Sequence, residues 1–445
     1  SKGRLMFKVS KNTLKLYIFF VIIKIAIEYV YYTYNINGTS PEYVVDVNAF
    51  KYLYGMCWLT VLFFGIRHDK RLPSTFIMQF FLVMQVIPLT VIYAFQNENT
   101  LYYTVVCMAL FMAEMVLAMC KRCTPYFFRM KINWWIIGSI AMIIALVVYI
   151  YINNGLPTLM ALNFDNVYKL RESGIYKIGK YTAYLQDIVT KVVIPVSLAG
   201  AVSQRKYICA GILYFIEAAI YLYTGSKGIL FAGLLVIFVT MWSRRPKFTD
   251  EIWTCATLGL GLVGFGWKIN WILYKMYDLF IRRSMIVPAI NSYRYYDFFK
   301  ENPRLGLAGI FPNWLLPINN PYARVPYAYV ISKVYYNKPE MNSNNGFLGE
   351  ASARFGLGGI FLEFFIFIMI LMLVDSLQEK TSYTFAVGAS IYFVYSLADA
   401  HLIDQLLCGY WMPLVLFFGL YGIKNKERKN NQSTWKDLTM ESDSY

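Results

Sequence analysis

Three groups of residues in this chain have the types and spacing to hold an anion. Arg282-Arg283 opens a run that ends at Pro288, and Arg294 follows inside Tyr293-Arg294-Tyr295-Tyr296. Arg171 closes the polar stretch Asn163 to Glu172, after Asp165, Tyr168 and Lys169. A guanidinium fork meets two phosphate oxygens at once, so these arginines suit a diphosphate. A solvated face or a lipid-headgroup anchor is the competing account. Lys227 sits in Tyr223-Thr224-Gly225-Ser226-Lys227-Gly228, where two glycines permit a tight reversal. A helix that starts at a lysine presents both N–H groups and a cation to an anion. An ordinary turn with a snorkelling lysine would look the same.

A further segment runs from Asn342 to Gly359 and contains Asn345-Gly346-Phe347-Leu348-Gly349-Glu350. Asn before an apolar run reads as an N-cap, and Glu350 with Arg354 fits an i,i+4 pair. Structure alone could account for this segment. The two histidines are His68 and His401. Seven cysteines are scattered, and Cys120-Lys-Arg-Cys123 has no second pair, so packing is the expected role. There is no Asp-x-Asp motif, and neither a metal nor another cofactor is expected.

These residues must be positioned by membrane helices. The chain of 445 residues is 58% hydrophobic and 15% charged, more apolar surface than one water-soluble core can bury. A span needs about 20 apolar residues. Such windows fall at approximately 14–34, 50–66, 75–95, 101–120, 133–153, 186–203, 207–223, 227–242, 252–274, 356–374, 383–398 and 406–423. The expectation is therefore an all-α polytopic bundle over 1–423 with about twelve spans. Two long loops, 154–186 and 275–354, would carry short helices outside, and a tail over 424–445 would lie inside. Lys and Arg cluster before the first span and at every second connection, including Arg67 to Arg71, Arg205-Lys206 and Arg244 to Lys247. Basic loops stay cytoplasmic, which puts both termini inside and both long loops outside. The first span has no small-residue cleavage site and reads as a retained anchor. The net charge of +16 is then mostly topogenic, with attraction to an anionic lipid bilayer; no nucleic-acid partner is expected.

Charges within spans need partners or a wet cavity. Lys24 and Glu28 can pair one turn apart. Glu114, Lys191, Glu217, Lys268 and Glu363 have no evident local partner. Pairing between helices and a polar chamber are the two accounts.

In their order and topological placement, the motifs resemble Wzy-type polymerases of bacterial O-antigen, capsule or exopolysaccharide, over roughly residues 14–423. The resemblance rests on Asp165 to Arg171, the Gly225-Ser226-Lys227-Gly228 hairpin, Arg282-Arg283 with Pro288 and Tyr295-Tyr296-Asp297-Phe298-Phe299, and Asn344 to Glu350 before Phe355-Gly356. It implies a GT-C-like metal-independent glycosyltransferase of the bacterial cytoplasmic membrane, with its active site facing outward. The substrate implied is an undecaprenyl-diphosphate-linked oligosaccharide; a chain-length regulator and a flippase are implied partners. The related ligases usually carry His where Asn345 stands, which favours polymerase over ligase. A lipid-linked oligosaccharide flippase is the rival from another class, but it would have shorter loops and related halves. Within the resemblance, Arg171, Lys227, Arg282, Arg283, Arg294 and Asn345 become diphosphate-binding candidates. Arg171 and Arg282 are also catalytic candidates, as are Glu350 and His401, the candidate bases, with Asp404 behind them.

The topology is directly testable. Single cysteines replacing Asn166 or Asn320 should react with an impermeant maleimide in intact cells, and one replacing Arg245 should not. Labelling at Arg245 would contradict the orientation.

Overall fold

The computed structural model describes residues 11–36, 43–66, 68, 71–119, 132–157, 176–308, 318–322, 325, 327–343, 345–378, 381–398, 400 and 402. Arg171, His401, Asp404, Cys120, Cys123, the expected last span 406–423 and the tail lie outside the described residues. Those described fold as helices without strands. In order they are α1 (Lys11–Ile36), α2 (Ala49–Gly65), α3 (Pro73–Phe95), α4 (Thr100–Met119), α5 (Ile132–Asn154), α6 (Tyr181–Ser203) and α7 (Tyr207–Thr224). Then follow α8 (Lys227–Trp242), α9 (Phe248–Gly266), α10 (Trp271–Glu301), α11 (Tyr327–Tyr336), α12 (Phe347–Phe355), α13 (Leu357–Gln378) and α14 (Tyr383–Ser396).

Among the described residues, six helices are long and apolar enough to cross a bilayer: α3 to α7 and α13. A seventh is added if the bent pair α9 and α10 counts as one span; α2 and α8 are apolar but shorter. The expected ninth span, 252–274, needs correction. Its helix ends at Gly266, and the chain bends by 114° before restarting at Trp271. Asn270 caps the new helix by accepting from the Ile272 N–H at 2.8 Å, which is why the helix can restart there.

Prolines shape three of the long helices. Each of Pro88, Pro195 and Pro288 is preceded by a π-helical stretch: Leu82–Val86, Val189–Val193 and Tyr277–Ile286. The residue before each proline donates five residues back, from Ile87 to Leu82, Ile194 to Val189 and Val287 to Arg282. Proline lacks an N–H and its ring crowds the carbonyl four residues earlier. Widening the turn relieves the crowding and keeps the neighbouring N–H bonded, as an apolar solvent requires.

Polar contacts between helix ends fall into two groups. At the basic end, Arg71 donates to the Ser243 carbonyl (2.8 Å) and stacks on Tyr383, and Arg244 donates to the Tyr207 hydroxyl (2.7 Å). There too the Asp375 carboxylate accepts from both the Ser74 N–H (2.9 Å) and its hydroxyl (2.5 Å), capping α3 from α13. His68 is held between the Phe63 carbonyl and Gln79, whose other atom accepts from Trp253. At the opposite end, the Asp46 N–H donates to the Phe95 carbonyl (2.8 Å), Gln96 to the Tyr31 hydroxyl (2.6 Å) and the Phe347 N–H to Leu397 (3.1 Å). Tyr223 donates to the Gly155 carbonyl (2.6 Å), tying the end of α5 to the α7–α8 hairpin.

The charges inside helices divide differently from expectation. Lys24 does pair with Glu28, beneath the Tyr52 ring. Lys191 has a local partner after all, Asp187 at 2.9 Å. Lys268 lies in the exposed turn beyond α9, over the Trp267 ring, and not within a span. Glu114 and Glu217 are buried, and among the described residues their carboxylates accept no hydrogen bond, so no interhelical pair is seen for them there. Each instead fills the space over a glycine of a neighbouring helix. A Cβ at Gly65 would lie 2.1 Å from a Glu114 oxygen, and one at Gly233 would lie 2.0 Å from a Glu217 oxygen.

The proline account makes a prediction about α10. Pro288→Ala should return Tyr277–Ile286 to α-helical winding and carry Arg283 away from Asp278. A double-mutant cycle on Asp278 and Arg283, read by thermal unfolding, should give a coupling of about 0.2–1 kcal/mol in the native background. It should vanish with Pro288→Ala; an unchanged coupling would contradict the account.

Candidate functional site

The end of the bundle opposite the basic loops gathers most of the described candidates. Asp278 binds both arginines of the pair: its Oδ1 is 2.5 Å from Arg282 Nε, and its Oδ2 is 3.1 Å from Arg283 Nε. This double contact follows from the π winding. In an α-helix a residue five positions on lies about 140° around the axis, out of reach. With wider turns, positions four and five on flank the same line. Two guanidinium groups thus share one carboxylate, leaving the trio a net charge of +1 by formal count. Arg283 remains about half exposed, its side chain at 44%.

Around Arg282 lies a floor of aromatic rings. Tyr34 packs against Tyr43 (5.0 Å), Tyr277 (5.6 Å) and Trp267 (5.8 Å), and Tyr31 packs against Tyr43 (5.3 Å). Arg282 is in electrostatic reach of Tyr34 and Tyr43. Tyr31 is in reach of Arg294 and Glu98, so the floor leads from the arginine pair to a second charged group.

In that group the Arg294 guanidinium lies 4.3 Å from the Tyr336 ring centre and 5.6 Å from that of Tyr335. Tyr336 in turn donates its hydroxyl to Asn291. Glu98 occupies the short turn between α3 and α4. Lys51 fastens that turn, donating to the Asn97 (2.8 Å) and Glu98 (2.5 Å) carbonyls, and Asn97 takes a positive φ of 53° within it. Burial, and then the nearby Asp297 carboxylate, push the Glu98 carboxyl up to about 7, while Arg294 and Lys51 oppose the shift.

The remaining candidates are held differently. Lys227 is the first residue of α8, after Gly225 in the left-handed conformation (φ 60°), as the hairpin reading anticipates. One turn on, Phe231 meets Phe280 of the π segment at 6.2 Å, linking the helix start to the arginine pair. Glu350 and Arg354 pair at 2.9 Å, both fully buried. Glu350 also accepts from Tyr327 (3.0 Å), while Arg354 donates to the Gly306 (3.2 Å) and Ala308 (2.9 Å) carbonyls. This set pins the second long loop to α12. Asn345 is not the N-cap it resembles; Gly346 occupies that position, without a side-chain cap. The Asn345 amide is buried against Gly349, and among the described residues neither its oxygen nor its nitrogen finds a hydrogen-bond partner.

Asp278, Glu98 and Asp297 were missed as functional candidates. Asp278 was legible as an acid four and five residues before the arginine pair. Asp297 stands inside Tyr-Tyr-Asp-Phe-Phe, and Glu98 inside a connection that reads as merely short. No family model, curated protein or solved structure matches the chain.

The Glu98 environment predicts a titration near neutrality, measurable as its carboxyl signal by isotope-edited infrared or NMR. Below about 7 the acid form dominates. Asp297→Asn removes an anion and should move the midpoint down; Arg294→Ala removes a cation and should move it up. Shifts of opposite sign, or none, would contradict the cluster.

Proposed function

We propose that the protein is a membrane glycosyltransferase that polymerises lipid-diphosphate-linked oligosaccharide repeat units at the outer face of a bacterial cytoplasmic membrane. The observation that carries this reading is the Arg282–Arg283 pair sharing Asp278 on an aromatic floor at the end of a membrane bundle. That arrangement offers guanidinium donors beside the bilayer, where the headgroup of a lipid diphosphate would lie. Charge grows on the diphosphate as it leaves, and preorganised cations stabilise it at that moment. Asp278 holds the two forks in place beforehand and takes them back when the product departs. Arg171 is proposed to complete the cradle from the first loop, with Lys227, Arg294 and Asn345 binding around it.

In the reaction proposed, the hydroxyl of the acceptor sugar forms a bond to the anomeric carbon of the donor. The bond from that carbon to the diphosphate oxygen breaks, and its electron pair leaves with the diphosphate. The hydroxyl proton goes to a base. Glu350 is engaged by Arg354 and Tyr327, so His401 carries that role in this reading, histidine being the side chain type most often used as a general base. No metal enters these steps, and a chain-length regulator and a flippase remain proposed partners.

Arg282→Ala should reduce polymer formation roughly 10²–10³-fold, seen as loss of the glycan ladder at normal protein level. Arg282→Lys should rescue poorly, because an ammonium cannot reproduce the planar fork. A ladder of native length and amount from Arg282→Ala would make the pair a headgroup anchor instead.

A further inference from the structure

The bend between α9 and α10 carries a feature that the glycan chemistry does not use. An apolar groove of about 580 Å³ runs between α1 and α9, lined by Phe19, Ile22, Leu258, Gly261, Leu262 and Phe265 and reaching Ile269. Two threonines also line it, but the Thr257 hydroxyl is spent on the Trp253 carbonyl (2.7 Å) and Thr254 on Asp250 (2.7 Å). A Cβ at Gly261 would meet nothing within 4 Å, so the recess is open there. Ile269 is shared with a second recess of about 420 Å³, of mixed polar and aromatic lining, formed by Trp267, Lys268, Asn270, Trp271 and Tyr274. Lys268 is exposed there, over the Trp267 ring. Asn270 uses its side-chain oxygen on the Ile272 N–H, which leaves its NH₂ as a donor. Trp267 is buried, with its indole nitrogen enclosed by protein, so its ring forms the wall beneath Lys268.

We propose that this composite recess is a binding site for one anionic phospholipid, with an acyl chain in the α1–α9 groove and the phosphate at Lys268 and Asn270. Length favours a phospholipid. From Thr254 to Gly266 the helix rises about 18 Å at 1.5 Å per residue, somewhat more than half of a hydrocarbon core about 30 Å thick. That matches a chain confined to one leaflet, whereas a polyprenyl chain long enough to cross the bilayer would overrun it. Charge favours an anionic headgroup, because the donors at the rim carry a cation and, among the described residues, no carboxylate lines the recess. The lipid would brace both arms of the 114° bend, and so the helix that carries Arg282 and Arg283. The site stands whether or not the proposed glycan transfer does.

Native mass spectrometry of the full-length protein, titrated with phosphatidylglycerol, phosphatidylcholine or a polyprenyl phosphate, tests this. One phosphatidylglycerol should be held in preference to both other lipids. Lys268→Ala should weaken it roughly fivefold, as expected for about 1 kcal/mol per lysine at a membrane surface. Gly261→Trp should abolish the preference by filling the groove. If that variant fails to fold, the exposed Lys268→Ala decides alone. Equal binding of the two phospholipids, tighter polyprenyl phosphate, or an unaltered preference in Lys268→Ala would overturn the proposal.

Discussion

Hydrocarbon offers no hydrogen bonds, and that constraint governs this protein more than any single contact. Backbone groups must be satisfied within helices, so a proline in a span has to be absorbed by local rewinding. Three times the chain does this with a π turn before the proline. In α10 the rewinding has a chemical consequence: it brings residues 282 and 283 onto the same carboxylate, Asp278. A solvent constraint thereby shapes an electrostatic site.

The same constraint sorts polar side chains to the two ends. The basic end is tied by short, well-satisfied bonds, such as Asp375 on the start of α3 and the His68–Gln79–Trp253 chain. The opposite end holds tyrosines, arginines and acids whose charges are shared unevenly, as with Glu98 near Asp297 and Arg294. One end is fastened by satisfied pairs, and at the other Asp278 is shared between two arginines.

Much of this was legible in the sequence, for physical reasons that also set the limits. Hydropathy found the long helices, and spacing found the Lys24–Glu28 and Glu350–Arg354 pairs, because both depend on neighbours within a turn or two. The bend after Gly266 was hidden because apolar residues continue through Trp267, Ile269 and Trp271. Tertiary neighbours were hidden too. Glu98 meets Asp297 only through the packing of α10 against α3, and nothing near Glu114 or Glu217 announces the glycine that each covers. Asn345 carried a cap-like signal, but Gly346 took the capping position and the amide was buried against Gly349.

The central claim is that this chain itself transfers glycan between lipid-diphosphate carriers. Purified protein, reconstituted in a bilayer and supplied only with a defined lipid-linked repeat unit, should yield a ladder of products that grow by one repeat and release the free lipid diphosphate. Redistribution of intact substrate across the bilayer without new glycosidic bonds, or transfer of a single unit to an unrelated acceptor with no ladder, would contradict it.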